Sequence, residues 1–249
     1  VNKLVSIITA TTGNPILKKN IESVRNQTYK NIQHIIFVDG YHSAKNASNV
    51  LLQMEFPSLN VLEETVIQLP YSVGKDRWNG HRMYAAGTYL CEGEYVMYLD
   101  EDNFLEPNHV EECMKVISSG KDWTFSFRKI VDKEGNYICN DDCESLGSWP
   151  SVLDQRDYFI DVNCYFLPKL LAVHLSPIWY RKAREPGVPE VDRVLCPTLR
   201  DVAPNNQGTH KYTVNYTVGN TQLSVQDNFF LQGNKIMLDR YNGKLPWRS

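Results

Sequence analysis

The sequence has no apolar run near the ~18 residues that a membrane-crossing helix needs, no Cys-x-x-Cys pair and no surplus of positive charge. The first absence gives no reason to expect a transmembrane segment and leaves peripheral membrane contact open. The opening residues, Val1 to Ile8, read as a strand, not as a charged leader with a long apolar core. Lysine and arginine number 26 against 29 aspartates and glutamates, a formal charge of −3. That balance predicts no nucleic-acid partner. The six cysteines read as reduced, mostly buried thiols of a cytoplasmic protein. Only Cys139 and Cys143 are spaced to bridge or bind metal, and the sequons at Asn26, Asn46 and Asn215 read as chance matches. No Gly-x-Gly-x-x-Gly follows the first strand, which disfavours a dinucleotide oxidoreductase. Nor does a glycine-rich basic loop of the sort that cradles a triphosphate, which disfavours a sugar nucleotidyltransferase.

What is present is an ordinary globular composition: 249 residues, 42% hydrophobic and 22% charged. This length buries a substantial core without staples. One domain over residues 1–249 is expected, with no repeat and no low-complexity linker. Leu4 to Thr9 is a buried strand. Asn14 and Pro15 then start a helix whose apolar face is Leu17, Ile21 and Val24. Gln33 to Val38 is a second strand, which completes a strand–helix–strand unit of an α/β sheet. Further along, helices are predicted over 44–55, up to Leu90, over 107–118 and over 191–202. Strands are predicted over 61–69, 94–99, 123–131, 158–167 and 211–218, with a turn at 204–208.

Three segments carry chemistry. Tyr95 to Asn103 is a strand that runs into Asp100-Glu101-Asp102. In extended chain, residues two apart point to one side, so Asp100 and Asp102 can converge. Paired carboxylates at a strand's carboxyl end suit a hard divalent cation, Mg²⁺ or Mn²⁺, which takes one or two carboxylates plus substrate phosphate. Asp39 ends the second strand, where an acid can accept hydrogen bonds from a base or ribose. Ser72 to His81 offers Lys75 and Arg77 as positive charge, with Gly74 and Gly80 permitting close backbone approach. Each has an ordinary reading too: a solvated acidic turn, a strand-to-turn aspartate, a basic helix start.

Taken together and in order, these stretches resemble the family 2 glycosyltransferases with the nucleotide-sugar-binding GT-A fold. Four matches carry the resemblance over about residues 4–110: Val5-Ser-Ile-Ile-Thr-Ala-Thr, Ser23 to Gly40 with its Gln-Thr-Tyr-Lys-Asn core, Gly74-Lys-Asp-Arg-Trp-Asn-Gly80, and Leu99-Asp-Glu-Asp102. Three departures stand out. Asp39 is followed by Gly40 in place of a second acid, the loop after the first strand is Thr-Ala-Thr-Thr-Gly, and Trp78 replaces a small residue.

The resemblance implies an α/β fold with a mixed, mostly parallel sheet flanked by helices. About residues 1–105 would bind the nucleotide sugar and about 106–249 the acceptor, the chain being either whole or one domain of a longer protein. It implies Thr9, Ala10, Thr11, Asp39, Arg77, Asp100 and Glu101 as donor-binding residues, and Asp100 and Asp102 as ligands of Mn²⁺ or Mg²⁺. It also places an acceptor base before a late helix, where Pro189 to Leu195 matches best and Asp192 is chosen ahead of Glu190. His210 is a candidate third ligand. Asn140 to Ser145, Asp161 and Asn163 are candidates for the acceptor side, and Trp149, Trp179 and Tyr180 for stacking on a sugar. The implied activity is metal-dependent, inverting transfer of a hexose or deoxyhexose from a nucleoside-diphosphate sugar, by family habit UDP-linked. The acceptor would be a glycan hydroxyl on a polysaccharide, a lipid-linked glycan or a glycoprotein. The alternatives are a non-catalytic nucleotide-sugar or glycan-binding module of the same fold, and a sugar nucleotidyltransferase.

Overall fold

The structure is a computed structural model that describes residues 2–52, 63–154, 158–220 and 225–248. Its centre is one nine-stranded mixed sheet. The first part is all parallel. Strands β1 (Val5–Thr11), β2 (Ile32–Val38), β3 (Glu63–Gln68) and β4 (Tyr95–Tyr98) lie in the order β3-β2-β1-β4. β1, β2 and β4 are buried almost throughout, as expected of strands covered on both faces. The second part adds β5 (Phe104–Leu105), β6 (Trp123–Val131), β7 (Tyr137–Asn140), β8 (Tyr165–Pro168) and β9 (Asn206–Thr217). β8 joins the two parts, pairing antiparallel to both β4 and β6. β9 pairs parallel to β6 and antiparallel to β5.

Among the described residues, seven α-helices flank the sheet: α1 (Leu17–Arg25), α2 (Gly40–Leu52), α3 (His81–Leu90), α4 (His109–Ser118), α5 (Lys169–Leu175), α6 (Val191–Val202) and α7 (Asp227–Arg240). In α1 the buried stripe is Leu17, Asn20, Ile21 and Val24, the i, i+3, i+4, i+7 spacing of one helix face. Asn14 starts the turn ahead of it, its side-chain oxygen accepting from the Ile16 amide at 3.1 Å. None of the described helices is long and apolar enough to cross a membrane. None of the six cysteines is in a disulfide.

Helix α6 occupies the predicted span in spite of Pro197 inside it. Helices α5 and α7 and the short β5 and β7 were not anticipated. The strand expected over 158–167 is reduced to β8, because the Asp161 carboxylate accepts the Asn163 amide at 3.0 Å and winds Val162–Cys164 into a 3₁₀ turn. The turn expected at 204–208 is mostly strand, for β9 starts at Asn206. The register of its pairing with β6 shifts near His210, whose φ is +56°. Helix α2 starts at Gly40, directly after β2, and residues 53–62 of the predicted helix and strand lie outside the described residues.

Candidate active site

Parallel strands bring their carboxyl ends to one edge of the sheet, where α/β folds bind ligands. Here Thr11, Asp39 and Asp100 end up on the same rim and line a cleft of 760 Å³.

Asp39 organises one wall. Its carboxylate accepts from the Ser72 hydroxyl at 2.7 Å, the Val73 amide at 2.6 Å and the Gly74 amide at 3.1 Å. The fit is tight on both sides of this bracket. A Cβ at Gly40, whose φ is +78°, would stand 2.5 Å from the Ser72 nitrogen, and one at Gly74 would stand 2.8 Å from the Asp39 carboxylate. Both glycines are therefore required by close backbone approach.

Glu101 organises the other wall. It accepts from the Thr11 hydroxyl, from the Thr12 hydroxyl at 2.8 Å, and from the Thr12 and Asn14 amides at 3.1 Å each. The loop after β1 is thus folded around a carboxylate of the loop after β4. Ala10 and Thr11 border the cleft. Thr9 lies elsewhere, its hydroxyl 3.0 Å from His34 Nε2 and buried under α1. Burial pushes His34 down to about 4, so that ring is neutral.

Between the walls stand the two aspartates. Asp100 accepts from the Tyr84 hydroxyl and, at 2.9 Å, from the Asn163 side chain. Its own amide donates to the Asn163 side-chain oxygen at 2.6 Å. Asp102 accepts from the Asn220 side chain at 2.8 Å. The backbone of this acidic turn is pinned from below by Asn20, whose amide group donates to the carbonyls of Asp100 and Asn103 at 2.9 and 3.0 Å. Burial pushes the Asp100 carboxyl up, and burial followed by the negative charges of Asp100 and Glu101 pushes Asp102 up to about 7. Neither aspartate has a cation within ion-pair distance among the described residues. The positive groups that border the cleft are Lys75 and Arg184.

Arg77 is absent from that lining. It is exposed, and its guanidinium donates to the Arg184 carbonyl at 2.9 Å, tying the loop before α3 to the loop before α6. Asp192 sits in the first turn of α6, its carboxylate accepting its neighbour's amide at 2.9 Å. Burial, and next the charge of Asp161, push it up to about 7. Asp161 also raises Asp100, so it lies within electrostatic reach of both. Glu190 accepts from the Arg184 amide at 2.6 Å. His210 is 3.1 Å from the Trp247 carbonyl, between the Phe127 and Trp149 rings, and does not border the cleft.

The acids of Asn140 to Ser145 serve the interior. Arg128, 1% exposed, reaches Asp141 at 2.7 Å, Glu144 at 2.5 Å and Asp161 at 2.5 Å. Asp142 accepts from the Trp247 indole at 2.7 Å and the Tyr212 hydroxyl at 2.5 Å.

Tyr84, Asn20, Arg184 and Asn220 were missed by sequence reasoning. Asn20 left a signal: a polar residue on the apolar stripe of α1. Tyr84 reads as an ordinary core aromatic. Arg184 and Asn220 come from loops with no pattern.

The donor set fits a divalent cation. Two hard oxygen ligands face the cleft with unbalanced charge, and no third histidine, cysteine or acid joins them among the described residues, which leaves further positions for substrate oxygens.

The comparisons agree with this geometry. The sequence pattern of glycosyl transferase family 2 matches residues 6–165. The uncharacterized glycosyltransferase MJ1057 of Methanocaldococcus jannaschii is 25% identical over 177 residues, covering 70% of this chain and 54% of that protein. The chain therefore spans about half the length of that curated relative. Among solved structures, S. aureus TarS 1-349 in complex with UDP superposes with a TM-score of 0.62 at 14% identity, covering 97% of this chain and 72% of that one. The same protein in complex with UDP-GlcNAc gives a TM-score of 0.63 at 14% identity, covering 95% and 66%. With the fold of GT-A glycosyltransferases and the family's sequence pattern over most of its length, this chain belongs to glycosyl transferase family 2.

Proposed function

We propose that the chain transfers a sugar from a nucleoside-diphosphate sugar, UDP-linked, to a hydroxyl of a glycan acceptor, with inversion and with a divalent metal. One observation carries the reading. Asp100 and Asp102 converge at the carboxyl ends of parallel strands, in a cleft, without a protein cation to balance them.

The two loops built around Asp39 and Glu101 bind and orient the nucleoside between residues 10–12 and 72–74. Asp39 and Glu101 act by holding those loops, since three and four loop donors close on their carboxylates, against two on Asp100. Lys75 and Arg184 meet the diphosphate. Asp100 and Asp102 would hold a divalent cation, which would supply Lewis-acid neutralisation of the leaving group's charge. Asp192 takes the proton from the acceptor hydroxyl, and a carboxyl pushed up to about 7 is matched to that role at neutral pH. The acceptor oxygen bonds to the anomeric carbon as the bond to the diphosphate breaks on the opposite face, which inverts that centre. UDP and UDP-GlcNAc complexes of TarS support the choice of a uridine donor.

The test is calorimetry with UDP, GDP, dTDP and their sugars, with and without Mn²⁺, followed by transfer assays on the donor that binds. Mn²⁺-dependent binding of one nucleotide sugar and its turnover are expected. Binding without hydrolysis or transfer to any acceptor would favour a non-catalytic module.

A further inference from the structure

Beside the donor cleft lies a second built feature that the donor reading does not use. Trp78 and Tyr180 face each other with ring centroids 4.9 Å apart. The Arg82 guanidinium lies 3.5 Å over the Trp78 ring and the Lys182 ammonium 5.8 Å from it. Tyr180 is 74% exposed, so one aromatic face is open to solvent. The Nε atoms of Arg82 and Arg181 are buried without a hydrogen-bond partner. Arg82, Arg181 and Lys182 form no ion pair among the described residues.

The charge is local. Residues 75–82 and 180–184 hold six lysines and arginines against the single acid Asp76, in a chain whose net charge is −3. The platform is also held in place. Asp76, Arg77 and Asn79 adopt left-handed φ values of 57°, 70° and 48°. The Ala183 amide donates to the Arg77 carbonyl at 2.7 Å, and His81 Nδ1 meets the Arg181 carbonyl at 2.6 Å. Non-glycine residues in that region cost energy and persist where the surroundings fix them, commonly at ligand sites.

Position decides what the platform serves. Its two loops are the ones that contribute Lys75 and Arg184 to the cleft, and Glu190, just ahead of Asp192, is bonded to the second loop. Arg82, Arg181 and Lys182 stand outside the donor lining. We propose that Trp78, Tyr180, Arg82, Arg181 and Lys182 form an acceptor subsite for an acidic sugar, one that carries phosphate or carboxylate. This rests on the transferase reading above. An exposed aromatic face stacks on a sugar ring, and arginine beside it takes the anionic group. A membrane surface is the less favoured partner, because Trp78 is half-buried beneath Arg82 and Ala183 is the one aliphatic side chain in these segments.

The experiment measures binding of size-matched phosphorylated dextran, oligogalacturonate and neutral dextran to the intact chain, with UDP plus Mn²⁺ and anionic phosphatidylglycerol vesicles run in parallel. The acidic oligomers should bind at least tenfold more tightly than the neutral one, and whichever acid binds better names the group. Arg82→Gln with Lys182→Gln should lose that preference and keep UDP affinity within twofold. Tyr180→Ala, a change at an exposed ring, should weaken all sugar binding at unchanged Tm. Equal binding of neutral and acidic oligomers, an unaffected double variant, or binding to vesicles alone would overturn the proposal. Failure of UDP to bind while the acidic preference persists would count against the donor reading and leave the anionic subsite standing.

Discussion

Asp141, Glu144 and Asp161 close on the Arg128 guanidinium at 2.7, 2.5 and 2.5 Å, whereas among the described residues Asp100 and Asp102 have hydroxyl and amide donors around them and no ion-pair cation. The two groups are bridged by Asn163, whose side chain donates to Asp100 at 2.9 Å and to Asp161 at 2.7 Å. Burial pushes Asp100, Asp102, Asp141 and Glu144 all upward, and Glu144 stays above its ordinary value even beside Arg128. At Asp141 burial is outweighed by the charge of Arg128 and by backbone amides, and the carboxyl falls below its ordinary value. At Asp102 nothing outweighs it, and the carboxyl rises to about 7. A buried acid with its own cation is a piece of architecture. On the proposed reading, the acids without one are kept for a cation that arrives with the substrate.

That contrast can be broken from either side. Arg128→Met removes the cation from the architectural cluster, taking the ion-pair partner from Asp141 and Asp161 and leaving Glu144 with Arg193 alone. It should destabilise the chain by about 3–5 kcal/mol in urea titration. A loss below about 1 kcal/mol would mean that the cluster is not held by its arginine.

Asp192→Asn should lower kcat on the order of 10³-fold while UDP affinity stays within twofold. In the unaltered chain kcat/KM should climb through about pH 7 as Asp192 loses its proton, because only the charged form accepts the acceptor's proton. Measured with saturating Mn²⁺, which keeps Asp102 ionised, the variant's residual rate should lack that limb. A variant profile that keeps it would move the base elsewhere.

Asp102→Asn sharpens the comparison through stability. The folded-state value of Asp102, about 7, lies above the ordinary carboxylate range, so the folded chain binds this proton more tightly than the unfolded chain. Its contribution to stability is present below about pH 4 and is lost as pH rises to 7. At pH 8 the amide should therefore raise stability by on the order of 2 kcal/mol, and Tm by about 2–4 °C per kcal/mol. At pH 4 the gain should vanish. A lower Tm at pH 8 would show that Asp102 is already compensated. The smallest effect is expected from Arg77→Gln, which should weaken UDP less than threefold because its guanidinium is turned to the Arg184 carbonyl. A tenfold loss would return Arg77 to the donor site.

The first half was legible because its signals are local. The apolar runs at 5–11 and 32–38, the helix between them and the acids at the strand ends all lie within short stretches, and parallel pairing brings those ends together. What each residue does there was less legible. Glu101 and Asp39 read as ligand contacts, yet their oxygens are taken by backbone and hydroxyl donors of loops distant in sequence. The second half resisted for the same reason in stronger form. Asn140 to Ser145 reads as an open acidic loop until Arg128, on another strand, is placed among its carboxylates. The strand expected through Asp161 gives way to a turn that delivers this residue to the same guanidinium. Long-range pairing of charges, which no periodicity encodes, decides these positions.

The central claim is that the unbalanced pair Asp100 and Asp102 takes a divalent cation together with the donor's diphosphate. Calorimetry of UDP binding with and without Mn²⁺, on the unaltered chain and on Asp102→Ala, tests it most directly. UDP affinity should rise at least tenfold with Mn²⁺ in the first and be insensitive to Mn²⁺ in the second, with the fold retained. Equal UDP affinity with and without Mn²⁺ in the unaltered chain, or an undiminished Mn²⁺ effect in Asp102→Ala, would contradict it.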